Sequence, residues 1–253
     1  MRKFILPLLA SLVFITCEKH DGGTKVEVCH QDPKKGTSHT LIINENALPA
    51  HLAHGDVVGP CVPTVKICNQ EWMVKNLDVD HYRNGDPIPQ VTDPFVWQNL
   101  TSGAWCYYDQ DPANGQVYGK LYNWYAVNDP RGLAPEGFHV PSHEEWNILA
   151  NCLGGQDVAG GAMKEAGTAH WLAPNTGATN SSGFTALPGG LKSPAGNYFD
   201  VITTSGHWWS STDATETVED IDAWARNIDH NGIYIGYANQ IKRCGMSVRC
   251  LRN

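Results

Sequence analysis

The residues best able to do chemistry in this 253-residue chain are its eight cysteines and eleven histidines, and several crowd together. Cys29, His30, His39, His51, His54 and Cys61 fall within one short stretch, where a helix would present His51 and His54 on one face. Thiolate sulfur and imidazole nitrogen are donors that zinc favours. Cys29, His39, His51 or His54, and Cys61 therefore make a candidate structural zinc site. The alternative is a Cys29–Cys61 disulfide, with the histidines as caps or solvated side chains. Elsewhere the chemistry is sparse. Gly-x-Ser-x-Gly, His-Glu-x-x-His and phosphate-loop patterns are absent. Paired acids such as Glu144/Glu145 and Asp220/Asp222 fit a helix N-terminus and a solvated face.

The state of those thiols depends on where the chain goes. Arg2 and Lys3 precede an apolar run from Phe4 to Ile15 and then Thr16-Cys17, the pattern of a secretory leader too short to remain as a membrane span. Residues 1–16 are read as a signal peptide and 17–23 as a polar tether. A cysteine at that point resembles the lipidation site of Bacteroidetes-type lipoproteins, although Phe14-Ile15-Thr16 is a loose version of the small-residue box. The resemblance implies a diacylated Cys17, membrane attachment through the lipid, and an outer-membrane location with surface exposure. An ordinary leader with an incidental cysteine is the alternative. In an oxidising exterior, cysteines that meet form disulfides, which favours the Cys29–Cys61 bond over zinc. With Cys17 lipidated seven cysteines remain, so at least one stays free or finds a metal.

Composition excludes other classes. Hydrophobic residues make up 42% and charged residues 17%, with nine Trp and nine Tyr, which is the composition of a globular chain. The net charge of −8, an acidic excess, argues against a nucleic-acid partner. Past the leader no apolar run is long enough for a membrane span.

The elements that must position these residues fall into two groups. Lys25 to Ile43 alternates around a turn at Gln31–Gly36 and reads as a hairpin. Asn46 to His54 reads as a helix capped by Asn46, with Pro49 in its first turn and Gly55 as its stop. Pro60-Cys61-Val62-Pro63 marks a joint. Residues 24–62 thus form a small Cys/His-rich module, too small to be stable without a staple, and 64–253 a second domain. In that domain Ser142-His-Glu-Glu145 is a capping box opening a helix with Trp146, Leu149 and Leu153 inward, ended by Gly154-Gly155. A second helix is capped by Asp157, turns Val158, Ala162 and Met163 inward and stops at Gly167. The stretches 208–211, 223–228, 233–237 and 246–251 alternate as strands. Strands, two helices, then strands make an α+β fold.

Several motifs carry a family resemblance. Glu71-Trp-Met-Val-Lys-Asn-Leu77, Tyr118-Gly-Lys-Leu-Tyr-Asn-Trp-Tyr-Ala126, Gly137-Phe-His-Val-Pro-Ser-His-Glu-Glu-Trp146, Trp208-Trp-Ser-Ser-Thr212 and Met246-Ser-Val-Arg-Cys250 resemble, in order, the Fibrobacter succinogenes major paralogous domain family. At greater distance, His139–Trp146 and Ser247–Cys250 are similar to formylglycine-generating-enzyme-type domains. These resemblances imply a C-type-lectin-like fold of antiparallel strands with two helices, whose N- and C-terminal strands pair beside them. The implied proximity makes Cys152–Cys250 a candidate disulfide. The enzymes' cysteine pair would fall near Cys244 and Cys250, but Cys250 stands where related families carry a structural cysteine and Cys244 lacks the flanking aromatic and serine. Calcium-dependent sugar binding is not carried over, because Ala173-Pro-Asn175 and Trp208-Trp-Ser-Ser lack the carboxylates a hard cation wants.

What remains is binding without a cation. Flat aromatic faces beside amides grip sugars. Trp171, Trp208, Trp209 and Tyr237 are the aromatic candidates, with Asn175, Asn180 and Asp213 as polar partners. The competing reading places Trp124, Trp146 and Trp208 in the core. The expectation is a lipid-anchored, non-catalytic surface protein that binds a polysaccharide or a partner protein, with no cofactor unless the small module holds zinc. A structural envelope role comes second, and a formylglycine-generating-enzyme-like oxidoreductase third.

Overall fold

The computed structural model describes residues 23–32, 37–214 and 221–253. The expected leader, Cys17 and the hairpin turn at 33–36 lie outside the described residues, as does Asp220. Alternating side chains make β1 (Lys25–Asp32) and β2 (Thr37–Asn44) an antiparallel pair, with Lys25 opposite Asn44 and Asp32 opposite Thr37. α1 (Leu48–Ala53) follows, and β3 (Val57–Val58) returns to the free edge of β1, giving the order β2-β1-β3. The helix start differs from expectation. Asn46 does not cap it: Asn44 caps a tight turn at Glu45–Ala47, its side chain accepting the Asn46 N–H at 3.1 Å, and α1 follows that turn from Ala47 with no side-chain cap of its own.

The second domain opens with the hairpin of β4 (Thr64–Ile67) and β5 (Gln70–Met73). Short elements follow: α2 (Pro94–Trp97), β6 (Trp105–Cys106), α3 (Pro112–Tyr118), β7 (Leu121–Tyr122), α4 (Trp124–Val127) and β8 (Phe138–His139). α5 (His143–Cys152) starts at the expected capping box. Ser142 Oγ accepts the Glu145 N–H at 3.2 Å, and Glu145 Oε2 accepts the Ser142 N–H at 2.7 Å. α6 (Gln156–Met163) begins behind Gly155 rather than Asp157 and ends before Gly167. It leaves Val158 exposed and buries Ala159, Gly160, Gly161 and Met163. The reason is close approach: the backbone at Ile233–Tyr234 lies against this face, and a Cβ on Gly160 would run into the Tyr234 carbonyl.

β9 (Leu191–Lys192) and β10 (Phe199–Asp200) form a two-stranded ribbon. β11 (Ser205–Asp213), β12 (Asp222–Asp229) and β13 (Gly236–Ile241) form an antiparallel sheet in sequence order. The third of these strands starts later than the alternation at 233–237 suggests. The chain ends in β14 (Leu251–Arg252), which sits between β5 and β8, with Leu251 opposite both Trp72 and His139. Met246 and Ser247 reach neighbouring segments through isolated bridges at Tyr122–Met246 and Trp208–Ser247. The protein is mixed α+β, with antiparallel sheets and few helices.

Its core is aromatic. One cluster gathers Trp105, Tyr122, Trp124, Phe138 and Trp209, and a second gathers Trp72, Trp146, Trp171, Phe184 and Trp208. Two buried cations sew loops to this core. Arg249 Nη1 donates to the carbonyls of Met73, Val74 and Phe184 at 3.0, 2.8 and 2.7 Å, and its Nε and Nη2 reach Asn76 Oδ1. Lys164 Nζ donates to the carbonyls of Thr176, Asp229 and Gly232 at 2.9, 3.1 and 2.8 Å, joining the 173–190 loop to the β12–β13 turn. Unpaired, those carbonyls would each carry a desolvation penalty.

Candidate functional site

Three short-range features bring a carboxylate and two imidazoles together in the small module. α1 ends at Ala53, Gly55 turns at φ +91°, and the Asp56 N–H comes back to the His51 carbonyl at 3.1 Å. That return sets Asp56 Oδ2 2.6 Å from His51 Nδ1. β3, immediately afterwards, pairs Val57 with Cys29, so Asp56 arrives beside His30, whose Nδ1 lies 2.8 Å from the same oxygen. Asp56 Oδ1 accepts the Gln31 N–H at 2.9 Å. The carboxylate side chain is fully enclosed, whereas the His30 and His51 side chains are 30% and 23% exposed. Burial alone would raise the Asp56 carboxyl. The Gln31 amide and the two imidazoles outweigh it and hold that carboxyl well below the usual carboxylate range. His39 stands opposite His30 in the β1–β2 ladder, with ring centroids 5.2 Å apart edge to face.

This arrangement replaces the expected zinc set. Cys29 and Cys61 are bonded to each other, so neither supplies a thiolate. His54 caps the helix end and is exposed. Of the expected ligands only His51 joins the cluster, where its partners are His30 and Asp56. The ligand atoms of His30, His51 and Asp56 all lie within 4.8 Å of one another, so as a group they could hold a metal ion. Asp56 escaped the sequence reading because no spacing rule links it to His30; the signal available was Gly55-Asp56 directly after a histidine-bearing helix.

Beside the cluster lies a cleft of about 380 Å³ between the module and the second domain. The Cys29–Cys61 disulfide and Val57 form one wall, and Leu77, Val79 and Phe138 form the other. Gln31, Lys75, Asp78, Glu136 and Arg252 bring polar groups to it.

The expected aromatic ligand face is not assembled. Trp171, Trp208 and Trp209 are at most 1% exposed. Each indole N–H is bonded inside: to the Ala186 carbonyl at 2.9 Å, to Asn76 Oδ1 at 2.9 Å and to the Tyr122 carbonyl at 2.8 Å. A large ring whose one polar atom is satisfied internally is more stable in a core than at a surface. Asn175 is buried, and its amide donates to the Glu165 carbonyl at 2.9 Å. Asn180 closes a loop onto Thr185 through both ends of its amide. Asp213 pairs with Lys242 at 2.9 Å. Only Tyr237 stays exposed, beside His143 and Trp224, above the buried Arg226.

The candidate Cys152–Cys250 bridge is also corrected. Cys152, at the end of α5, lies over the β4–β5 turn and bonds Cys68. Cys250 points into the first aromatic cluster and is free. Burial pushes the thiols of Cys106, Cys244 and Cys250 up to about 12, so each is held in its unreactive neutral form.

Among the described residues no helix is long and apolar enough to cross a membrane. Neither a curated protein nor a solved structure matches the chain. A family model described as the Fibrobacter succinogenes major domain matches residues 65–252, which is the greater part of the chain, from β4 to the end of β14. The chain therefore belongs to the Fibrobacter succinogenes major domain family.

Proposed function

We propose that this chain is a lipid-anchored, non-catalytic binding protein of the outer membrane surface, and that the cleft between its two modules takes a segment of a partner protein. The single observation that carries the reading is that cleft, a concave, largely aliphatic space at a domain junction with polar groups at hand. A polysaccharide is the weaker ligand class. Sugars are gripped by flat aromatic faces, and three of the four aromatic candidates are buried. Phe138 is the one aromatic side chain at the cleft. The pairing of β5 with β14 beside α5 and α6 supports a C-type-lectin-like fold for the second domain. A cysteine-dependent oxidoreductase is disfavoured by free thiols that are buried and protonated.

The test uses the exported chain freed of its anchor by Cys17→Ser, probed on a peptide array and a glycan array in parallel. Peptide binding lost in Val58→Arg, which places a charge at the exposed cleft edge, supports the reading. Sugar binding indifferent to that change would move the ligand class to polysaccharide at another surface. Blank arrays would favour a structural envelope role. The same Cys17→Ser change should shift the protein from the membrane to the soluble fraction; unchanged partitioning would remove the anchor.

A further inference from the structure

We propose that His30, His51 and Asp56 form an open binding site for a borderline divalent transition-metal ion such as zinc, cobalt or nickel. The inference stands apart from the cleft, because it rests on different residues. Three elements converge there: His30 on β1, His51 on α1, and Asp56 in the return between α1 and β3. Two imidazole nitrogens reach one carboxylate oxygen, at 2.8 and 2.6 Å. A carboxylate with no side-chain exposure is ringed here by N–H donors and has no lysine or arginine partner among the described residues. A divalent cation would supply the missing positive charge.

The donor set selects the ion. Two nitrogens and one oxygen suit zinc, cobalt or nickel, and they fall short of the six or more oxygens that calcium takes. Around a tetrahedral ion with bonds of about 2.0 Å, ligand atoms stand roughly 3.3 Å apart. The two imidazoles need only draw back from Asp56 by less than about 1 Å to admit it. Both rings are part-exposed, so they can make that movement and leave the fourth position to water. Asp56 Oδ1 stays on the Gln31 amide, which holds the carboxylate in place as an outer partner does in established metal sites. On binding, the ion takes the Nδ1 lone pair of each neutral imidazole, and the proton formerly on Nδ1 moves to Nε2 through solvent. The disulfide already closes the module, so the ion is a ligand of the folded state and not a condition for folding.

The test is titration of the full exported chain, disulfides intact, with cobalt(II), following its ligand-field absorption. One equivalent should bind. His30→Gln and His51→Gln should each weaken binding by about tenfold or more. Glutamine can still donate to Asp56, so the module should keep its fold, checked by unchanged hydrogen exchange of the β1 amides. His54→Gln, at an exposed position outside the cluster, should bind as the parent does. No uptake by the parent chain, uptake that survives both cluster variants, or equal weakening by His54→Gln would each overturn the proposal.

Discussion

Replacing both Cys29 and Cys61 with alanine tests what holds the small module together. The bond spans 32 residues of sequence, and the entropy of closing such a loop gives about 3.7 kcal/mol at 25 °C. Little else is available. Val28 and Cys29 are the only buried apolar side chains among the described residues of 23–62. Burying one such side chain is worth about 1.5–3 kcal/mol, while each ordered residue costs about 1–2 kcal/mol of backbone entropy. Without the bond the β1–β2 ladder should therefore open, and amide exchange from Lys25 to Asn44 should accelerate by about 500-fold. All nine tryptophans lie in the second domain, so fluorescence-detected unfolding of that domain is an internal control and should not move. Exchange of the β1 amides within about tenfold of the parent would refute the reasoning. Docking against the second domain would then be the main support of the module.

Other outcomes follow from single residues. Gly160→Ala should cost about 3 kcal/mol or more, because the added methyl meets backbone at Tyr234, whereas exposed Val158→Ala should cost under about 0.5 kcal/mol; urea midpoints compare them. Burial lowers His207 from 6.5 to about 4, with Ser205 Oγ 3.0 Å from its Nε2. The unfolded chain then binds more protons between those two values, so stability is complete above pH 6.5 and falls by up to about 3 kcal/mol as the pH drops to 4. His207→Gln should flatten that part of the melting profile, and an unchanged acid limb would contradict the assignment. Lys164→Met removes the ammonium that donates to the carbonyls of Thr176, Asp229, His230 and Gly232 and should lower the melting temperature, with the first exchange increases at Thr176 and Gly232.

Local signals in the sequence were legible where the structure obeys them locally. The Ser142–Glu145 box needs four consecutive residues and forms as expected. The α+β order and the β1–β2 hairpin follow from periodicity alone. What failed was decided at long range. α6 turns glycines inward and Val158 outward because a turn more than seventy residues away needs the space, and apolar pattern cannot register that. Tryptophan composition is the same whether rings bind sugar or fill a core; the acceptors that bury Trp208 and Trp209 are Asn76 and Tyr122, remote in sequence. Cys152 meets Cys68 across 84 residues because α5 crosses the β4–β5 turn, a fact of packing. The histidine–carboxylate cluster was half visible. His30 and His51 stood in a histidine-rich string, but only the helix return and the β3 pairing deliver Asp56 to them.

The position of β14 bears on how the molecule is made. Leu251 and Arg252 fill the slot between β5 and β8, so until that segment arrives β5 and β8 each keep an unmatched edge, and the sheet closes only by joining parts of the chain that are far apart in sequence.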